Sequence, residues 1–286
     1  MSSGRSGFMM RTAVHPGPVC TERMDLVQSE GCKLEVVLES DIALEDAVAR
    51  ALSDQAIDSA WLEVADVRVS QLSYVIPAHA PDKEQVAWYS DVHSFDAGRI
   101  DRIGMIVGTC KEASFLHGHG TWVQQSAKQA MGHILAKQTI LAEPALARGI
   151  GLRGACFDRR MDTETRFELF HVDSSGSTEG DFAALRLRPN QDFTVALNQA
   201  CDMLDWTRAR VYGLGSLIGA TFEDGRVLDS LPTEFLITDA IAGIGGATPE
   251  ILIVGVDGAD NILSGRLFHG ENAVLVTAEL ILERLN

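Results

Sequence analysis

The stretch Phe115–Leu135, with the sequence FLHGHGTWVQQSAKQAMGHIL, decides how the rest of the chain is interpreted. His117 and His119 stand two residues apart in an extended-looking run, so on a strand both imidazoles point to the same face. His133 follows in a second apolar run, and a hairpin that closes near Ser126 places it across from His119. Three imidazoles with one open position are a common design for a catalytic or exchangeable zinc site. The alternative is an ordinary hairpin whose histidines are solvated or hydrogen-bonded.

The composition is that of a globular chain with a large acidic excess. Its 286 residues are 46% hydrophobic and 22% charged, which suits one large domain or two of ordinary size. The formal charge is −16, from 24 basic and 40 acidic residues. Such a charge repels a phosphate backbone and argues against non-specific nucleic-acid binding.

The cysteines and the amino-terminal region indicate a cytoplasmic protein. The five cysteines are widely spaced and form no CxxC pair, so they predict neither a disulfide framework nor a thiolate zinc site. The first twenty residues lack the apolar core of a signal peptide, and no later run approaches the length of a membrane span. We expect residues 1–30 to form a flexible leader.

After the leader, the same order of elements occurs twice. A strand at Lys33–Leu38 precedes a helix whose apolar stripe begins at Leu44, and several strands follow. The polar stretch Asp173–Asp181 (DSSGSTEGD) is the clearest linker in the chain. Beyond it, a strand, a helix and several strands come again, which favours internal duplication over coincidence.

The predicted fold class is therefore α+β, in two tandem domains. Each domain is expected to be a largely antiparallel sheet with one main helix. The predicted limits are residues 31–172 for the first domain, 173–181 for the linker and 182–286 for the second domain.

The two halves differ chemically at the histidine hairpin. Alignment of the Gly-His of the first half with a Gly-Arg in the second shows that the second half lacks all three imidazoles. The aligned pairs are His133 with Arg266, His119 with Leu252, and His117 with Glu250. The second half is thus either a structural partner of the first, or it contains an ion pair between Glu250 and Arg266 in place of a metal site.

Two other residues near the first hairpin are candidates for the site. Glu143 could orient a ligating imidazole or act as a general base, and the alternative is an exposed strand glutamate. The same Ala-Glu pair recurs at Ala278–Glu279 in the second half. Trp122 could wall a pocket, with core packing as the alternative.

The stretch Gly213–Gly219 misses the GxGxxG spacing, so we interpret it as a tight corner or bulge and not as a dinucleotide loop.

Together these residues resemble the PPC domain, the plants-and-prokaryotes-conserved domain that accompanies AT-hooks in plant nuclear proteins and stands alone in bacteria. The hallmark of that family is His-x-His on a strand, a short polar loop, Gly-Gly-His and an apolar run that ends near Ala-Glu. The matching residues here are His117, His119, Gly132, His133 and Glu143. The two copies together cover nearly the whole chain.

The chain also departs from the family pattern. Met131 replaces the first glycine of Gly-Gly-His, and the histidines are missing from the second copy. The glycine-rich corner of the family is degenerate in the first copy and clearer in the second, at Gly213–Ser216. Each copy therefore keeps only part of the pattern.

The resemblance implies a compact α+β domain, a homo-oligomer that is often a trimer, and in some members zinc on the histidines. It also implies DNA as a partner. The DNA-binding description of the family comes from proteins with AT-hooks, whereas this chain has no AT-hook and a formal charge of −16. We expect a PPC-like tandem binding or regulatory protein with a zinc-class metal on His117, His119 and His133. The alternative is a zinc-dependent enzyme or a small-molecule-binding protein that uses the open metal position. The sequence does not decide between them, and it names no substrate.

Overall fold

Long strands account for most of the structure. The computed structural model describes residues 11–82, 84–124, 128–176, 179–244 and 248–285, and is 61% strand and 9% helix. The elements of the first half are β1 (Met24–Leu38), α1 (Leu44–Leu52), β2 (Ser59–Val75), β3 (Pro77–Ala78), β4 (Trp88–Tyr89), β5 (His93–Cys110), β6 (Ala113–Gln124), β7 (Ala130–Ile134), a 3-10 turn (Ala136–Gln138), β8 (Ile140–Leu141), β9 (Ala145–Arg153), β10 (Ala155–Met161) and β11 (Glu168–Ser174). Those of the second half are β12 (Phe182–Leu187), α2 (Phe193–Leu204), β13 (Arg208–Thr221), β14 (Val227–Gly243), β15 (Glu250–Asp257), β16 (Ile262–Arg266) and β17 (Val274–Leu285).

The predicted α+β class, with one main helix for each domain, is wrong: the fold is a large mixed sheet. The two apolar stripes do form helices, and Asp192 caps α2 by accepting a hydrogen bond from the Val195 amide at 2.9 Å. However, α1 and α2 have only 9 and 12 residues, whereas β2 and β5 have 17 and 18. The strand predicted at Ile103–Thr109 is only part of β5. A bulge near Ile100 interrupts the alternation of inward and outward side chains, and the strand continues on both sides of it.

The two halves contribute strands to one sheet and repeat the same strand order. Neighbouring strands follow β1-β9-β2-β5-β6-β7 in the first half and β12-β17-β13-β14-β15-β16 in the second. β10 and β11 extend the first half, and β10 pairs with β5 in parallel. β11 continues through Ser174, so the predicted linker 173–181 begins inside a strand. The repeated order agrees with an internal duplication, and the domain limits remain a proposal.

Strand β1 belongs to both halves. Its residues Met24–Ser29 pair with β12, whereas Glu30–Leu38 pair with β9. Regular structure therefore begins inside the stretch that we predicted as a flexible leader. Just before the strand, Arg23 donates a hydrogen bond to Glu164 at 2.7 Å. This shared strand is what makes the two halves one continuous sheet.

A buried apolar contact holds the halves together. Each helix covers a core of its own, and a third core between the halves contains Trp61 from the first half with Leu236 and Ile281 from the second. Gly104 is needed at this contact, because a Cβ there would come within 2.3 Å of the Trp61 ring and 2.7 Å of the Leu236 side chain. Gly104 pairs with His119, so this close contact lies beside the histidine hairpin.

Candidate metal centre

The hairpin of β6 and β7 places the three predicted histidines together. His119 lies directly across from His133, which confirms the predicted register, and His117 precedes His119 by two residues on β6. The predicted closure near Ser126 lies outside the described residues. Because the side chains of a strand alternate, His117 and His119 share one face.

The three rings form a tight cluster. Their centroids are 4.8 Å apart for His117 and His119, 4.7 Å for His117 and His133, and 5.6 Å for His119 and His133. One nitrogen from each ring lies within 4.8 Å of the corresponding nitrogens of the other two. The structure therefore brings together the residues that the sequence singled out, while metal binding itself stays a prediction.

Hydrogen bonds fix the direction of two of the ring lone pairs. Nδ1 of His117 lies 2.6 Å from the carboxylate of Glu279, and Nδ1 of His119 lies 2.8 Å from the carbonyl oxygen of Phe235. Both partners accept, so both Nδ1 atoms donate, and in the neutral rings both Nε2 atoms carry a lone pair. These two Nε2 atoms face each other at 3.2 Å. Two acceptors at that distance need a proton or a cation between them.

Protonation of His119 is disfavoured. Burial, together with repulsion from His117, lowers the pKa of His119 to about 3. Burial and the two neighbouring rings also lower the pKa of His133 well below its ordinary value. Neutral imidazole is the form that ligates a metal, so the cluster fits a metal ion better than a proton.

The second half contributes two buried carboxylates to the cluster. Glu279 on β17 contacts His117, and Glu234 on β14 has an oxygen 3.6 Å from Nε2 of His119. The other oxygen of Glu234 has no hydrogen-bond partner among the described residues, and burial raises the pKa of this carboxyl to about 8. No lysine or arginine of the described chain forms an ion pair with either carboxylate. At that pKa the buried carboxyl is mostly protonated near pH 7, and a bound metal ion would favour its ionised form.

Two cavities reach the histidines. One of about 60 Å³ lies beside His119 and Glu234, with Ser216 in its wall. A larger cleft of about 480 Å³ opens beside His117 and His133. Its wall includes the aromatic and cationic side chains of Trp88, Phe167 and Arg159. The centre is therefore accessible to small molecules from at least one side.

Glu143 and Trp122 have other partners. Glu143 forms an ion pair with the exposed Arg68 at 2.6 Å. Trp122 is fully buried and packs edge-on against Tyr74, with the centroids 4.8 Å apart. The carboxylate that contacts an imidazole is Glu279 instead. The predicted roles of Glu143 as an orienting group or general base, and of Trp122 as a pocket wall, gain no contact here and stay predictions.

The hairpin of β15 and β16 has the predicted register without the histidines. Leu252 lies across from Arg266, as His119 does from His133. A guanidinium nitrogen of Arg266 lies 3.0 Å from the carboxylate of Glu250, which confirms the ion pair that we considered for this half. This pair is largely exposed to solvent.

The glycine-rich corner is a bulged strand, as predicted. The register of β13 shifts between Arg210 and Leu214 and again between Ile218 and Ala220. Gly213 has a φ of 148°, and a Cβ there would come within 2.3 Å of the carbonyl oxygen of Glu279. The glycine therefore lets β13 approach β17 closely at the residue that contacts His117.

Sequence reasoning missed Glu234, Glu279 and the carbonyl of Phe235 as partners of the histidines. For Glu279 a signal was present, because the Ala-Glu pair occurs in both halves and only the copy in the first half was considered for the site. For Glu234 we find no local signal, since its role depends on the packing of one half against the other.

Among the described residues, no helix combines the length and apolar character needed to cross a bilayer. No protein-family model matches the sequence, and no curated protein matches it.

The chain is similar over about half its length to several solved structures. One is a plant- and prokaryote-conserved (PPC) protein from Pyrococcus horikoshii, with 15% identity over 54% of this chain and 97% of the other, at a TM-score of 0.35. Another is a metal-containing protein from Archaeoglobus fulgidus, with 17% identity over 51% of this chain and 96% of the other, at a TM-score of 0.36. A third is a presumed DNA-binding protein from Bacteroides thetaiotaomicron, with 14% identity over 49% of this chain and 91% of the other, at a TM-score of 0.38. At these identities and scores, the function has to be argued from the residues of this chain.

Proposed function

We propose that this protein is a PPC-like binding or regulatory protein that holds a zinc-class divalent ion on His117, His119 and His133. The observation that carries the proposal is the pair of Nε2 lone pairs that face each other at 3.2 Å. Glu279 and the Phe235 carbonyl hold the two rings in that orientation from behind. Carboxylate and carbonyl acceptors behind ligating histidines are the usual support of a metal site.

The donor set agrees with this class of ion. Imidazole nitrogens suit zinc and other late first-row metals, whereas calcium and magnesium prefer sites made of oxygen atoms. Two buried carboxyl groups from the second half lie beside the rings and offer oxygen ligands or hydrogen-bond acceptors. When bound, such an ion supplies either a cross-link or a Lewis acid, depending on whether a coordination position is open.

The direct test is the metal content of the purified protein. We expect close to one zinc for each chain after incubation with zinc and removal of the excess, and none in His117→Ala. The matched control is His79→Ala, which removes an exposed histidine of the same half. Full zinc content in His117→Ala, or none in the wild-type protein, would overturn the proposal.

DNA binding gains no support from the charge of the chain. The formal charge is −16, and binding to a phosphate backbone depends on cationic contacts. We expect no retention of duplex DNA in a gel shift at about 0.15 M salt, where non-specific binding is already weak. Retention that is insensitive to competitor sequence would contradict this expectation. The homo-oligomer implied by the PPC resemblance is an independent prediction, to be tested by light scattering.

A second candidate is a zinc-dependent enzyme or small-molecule-binding protein. The cleft of about 480 Å³ beside His117 and His133 favours it, because ligand sites are commonly clefts of this size with apolar walls and a few polar groups. Arg159 in the wall lies over the ring of Phe115 and could meet an anionic ligand. This candidate requires an open coordination position on the metal.

A further inference from the structure

We infer that Glu234 of the second half is the fourth protein ligand of the metal centre, so that the ion cross-links the two halves and has no open position. The inference rests on the proposed metal binding by the three histidines. It decides between the two candidate functions, because structural zinc sites have four protein ligands whereas catalytic sites keep one position free.

The polar atoms around His119 already have a spacing close to that of a zinc site. In a tetrahedral zinc site with bonds of about 2.0–2.1 Å, neighbouring ligand atoms are about 3.3 Å apart. The Nε2 atoms of His117 and His119 are 3.2 Å apart. Oε1 of Glu234 lies 3.6 Å from Nε2 of His119. The carboxylate thus already stands near the distance expected of a neighbouring ligand.

The Glu234 carboxyl accepts no hydrogen bond from the residues that the structure describes. Its side chain is 6% exposed, and Oε2 is buried without a hydrogen-bond partner among the described residues. Glu279 differs, because its carboxylate is already engaged by Nδ1 of His117 and so orients that ring. Of the two carboxylates, Glu234 is therefore the one with free acceptor capacity beside the lone pairs.

Strand pairing on both sides fixes the backbone position of Glu234. The residue lies on β14 between two neighbouring strands, paired with Ser216 on β13 and Val256 on β15. The next residue, Phe235, accepts the hydrogen bond from His119. Two consecutive residues of a central strand therefore face one imidazole: the Phe235 carbonyl accepts from Nδ1, and the Glu234 carboxyl lies 3.6 Å from Nε2. A carboxylate held in this way is preorganised for the metal.

The test compares zinc affinities by competition with a chromophoric chelator. We expect Glu234→Gln to weaken zinc binding by more than about 100-fold, and Glu279→Gln by about 10–100-fold, as for loss of an orienting partner. The matched control is Glu35→Gln, which changes an exposed glutamate of the first half that pairs with Arg148 and should leave the affinity unchanged. Circular dichroism of the metal-free variants checks folding, which Glu234→Gln should preserve because it removes an unpaired buried carboxylate.

A second measurement tests the closed coordination directly. Cobalt(II) replaces zinc, and its visible spectrum is recorded with and without azide. We expect azide to leave the wild-type spectrum unchanged and to alter that of Glu234→Ala, in which the fourth position is open.

The outcomes separate the two proposals. A wild-type protein that binds no zinc overturns the proposed metal site. A wild-type protein that binds zinc while Glu234→Gln binds it equally well overturns only the role of Glu234. A wild-type cobalt spectrum that changes with azide also overturns that role, and it would favour the enzyme candidate.

Discussion

Two buried polar clusters lie where the halves of this protein meet, and they differ in charge balance. The histidine–carboxylate cluster consists of His117, His119, His133, Glu234 and Glu279. The arginine–aspartate cluster consists of Asp25, Asp162, His171, Arg186 and Arg188. Both contain groups from the two halves, and both are mostly removed from water. Only the second cluster contains as many permanent cations as carboxylates.

The charges of the arginine–aspartate cluster are matched. Asp162 accepts hydrogen bonds from Arg186 at 2.8 Å and Arg188 at 2.9 Å, and Asp25 accepts from Arg188 at 3.0 Å. Although burial opposes it, the Arg186 guanidinium holds the pKa of Asp162 well below its usual range. This cluster is complete as a cross-link between the halves without any added group.

The histidine–carboxylate cluster is not complete in this sense. Its two carboxylates have no arginine or lysine partner in the described chain, and two of its ring nitrogens present lone pairs to each other. The comparison teaches that burial of polar groups alone does not mark a binding site. Buried acceptors that face one another without a donor do, because folding has left them without the partner that they need.

The largest effect is expected from breaking the matched cluster. Asp162→Asn leaves Arg186 and Arg188 with only Asp25, and we expect it to lower the free energy of unfolding by about 3–5 kcal/mol, as for other broken buried pairs. The measurement is denaturant unfolding of the metal-free protein. The control is Asp173→Asn, whose ion pair with Arg160 is half exposed and should contribute less than about 1 kcal/mol. Equal losses in the two variants would show that the cluster does not hold the halves.

Completing the unbalanced cluster with zinc should stabilise the fold. At a zinc concentration of 100 times Kd, we expect the free energy of unfolding to rise by about 2.7 kcal/mol. His119→Leu, which introduces the residue of the second hairpin, should show no such rise. His79→Ala is the control that keeps the full response. A zinc response in His119→Leu equal to that of the wild-type protein would place the ion elsewhere.

The arginine–aspartate cluster should respond to pH through His171. Burial, together with Arg186, lowers the pKa of His171 to about 4, from an unfolded value near 6.5. The neutral form is therefore favoured by folding, so its contribution to stability is complete above pH 6.5 and is lost as the pH falls towards 4. We expect a loss of about 2–3 kcal/mol from this residue over that range, at about 1.4 kcal/mol for each unit of pKa difference.

The contribution of His171 is isolated by His171→Gln, which retains an acceptor for Arg186 but does not titrate. Because His119 also titrates at low pH, the quantity to measure is the difference between the two proteins across the range. If the unfolding free energies of the wild-type protein and His171→Gln change with pH in parallel, the proposed role of His171 is contradicted.

The part of the site that could be predicted is the part that is local in sequence. The spacing of His117 and His119 and the length of the loop to His133 set the register of the hairpin, which the structure confirms. The hairpin of the second half could be aligned with it from the sequence in the same way, and the ion pair considered for Glu250 and Arg266 is present. Strand alternation and a hairpin are properties of neighbouring residues.

The rest of the site depends on contacts between distant residues. Glu279 is 162 positions from His117, and Phe235 is 116 positions from His119. The pattern of apolar and polar residues in these segments does not indicate that the two halves pack against each other. The fold class was wrong for a related reason, because the pairing of Met24–Ser29 with β12 joins the halves into one sheet across residues that looked like a leader.

The smallest effect is expected at the hairpin of the second half. Glu250 and Arg266 are 66% and 37% exposed, so water and salt screen their interaction. We expect a double-mutant cycle of Glu250→Ala and Arg266→Ala to give a coupling of about 0.2–1 kcal/mol, and a smaller value at about 1 M salt.

This cycle tests whether the ion pair stands in for the metal of the first half. A coupling above about 2 kcal/mol that persists in salt would mean that the pair is a cross-link comparable to a buried site. The expected small value means instead that the second hairpin lost its histidines without gaining an equivalent interaction. In that case the contribution of the second half to the metal centre lies in Glu234 and Glu279, which meet the histidines of the first half across the buried contact.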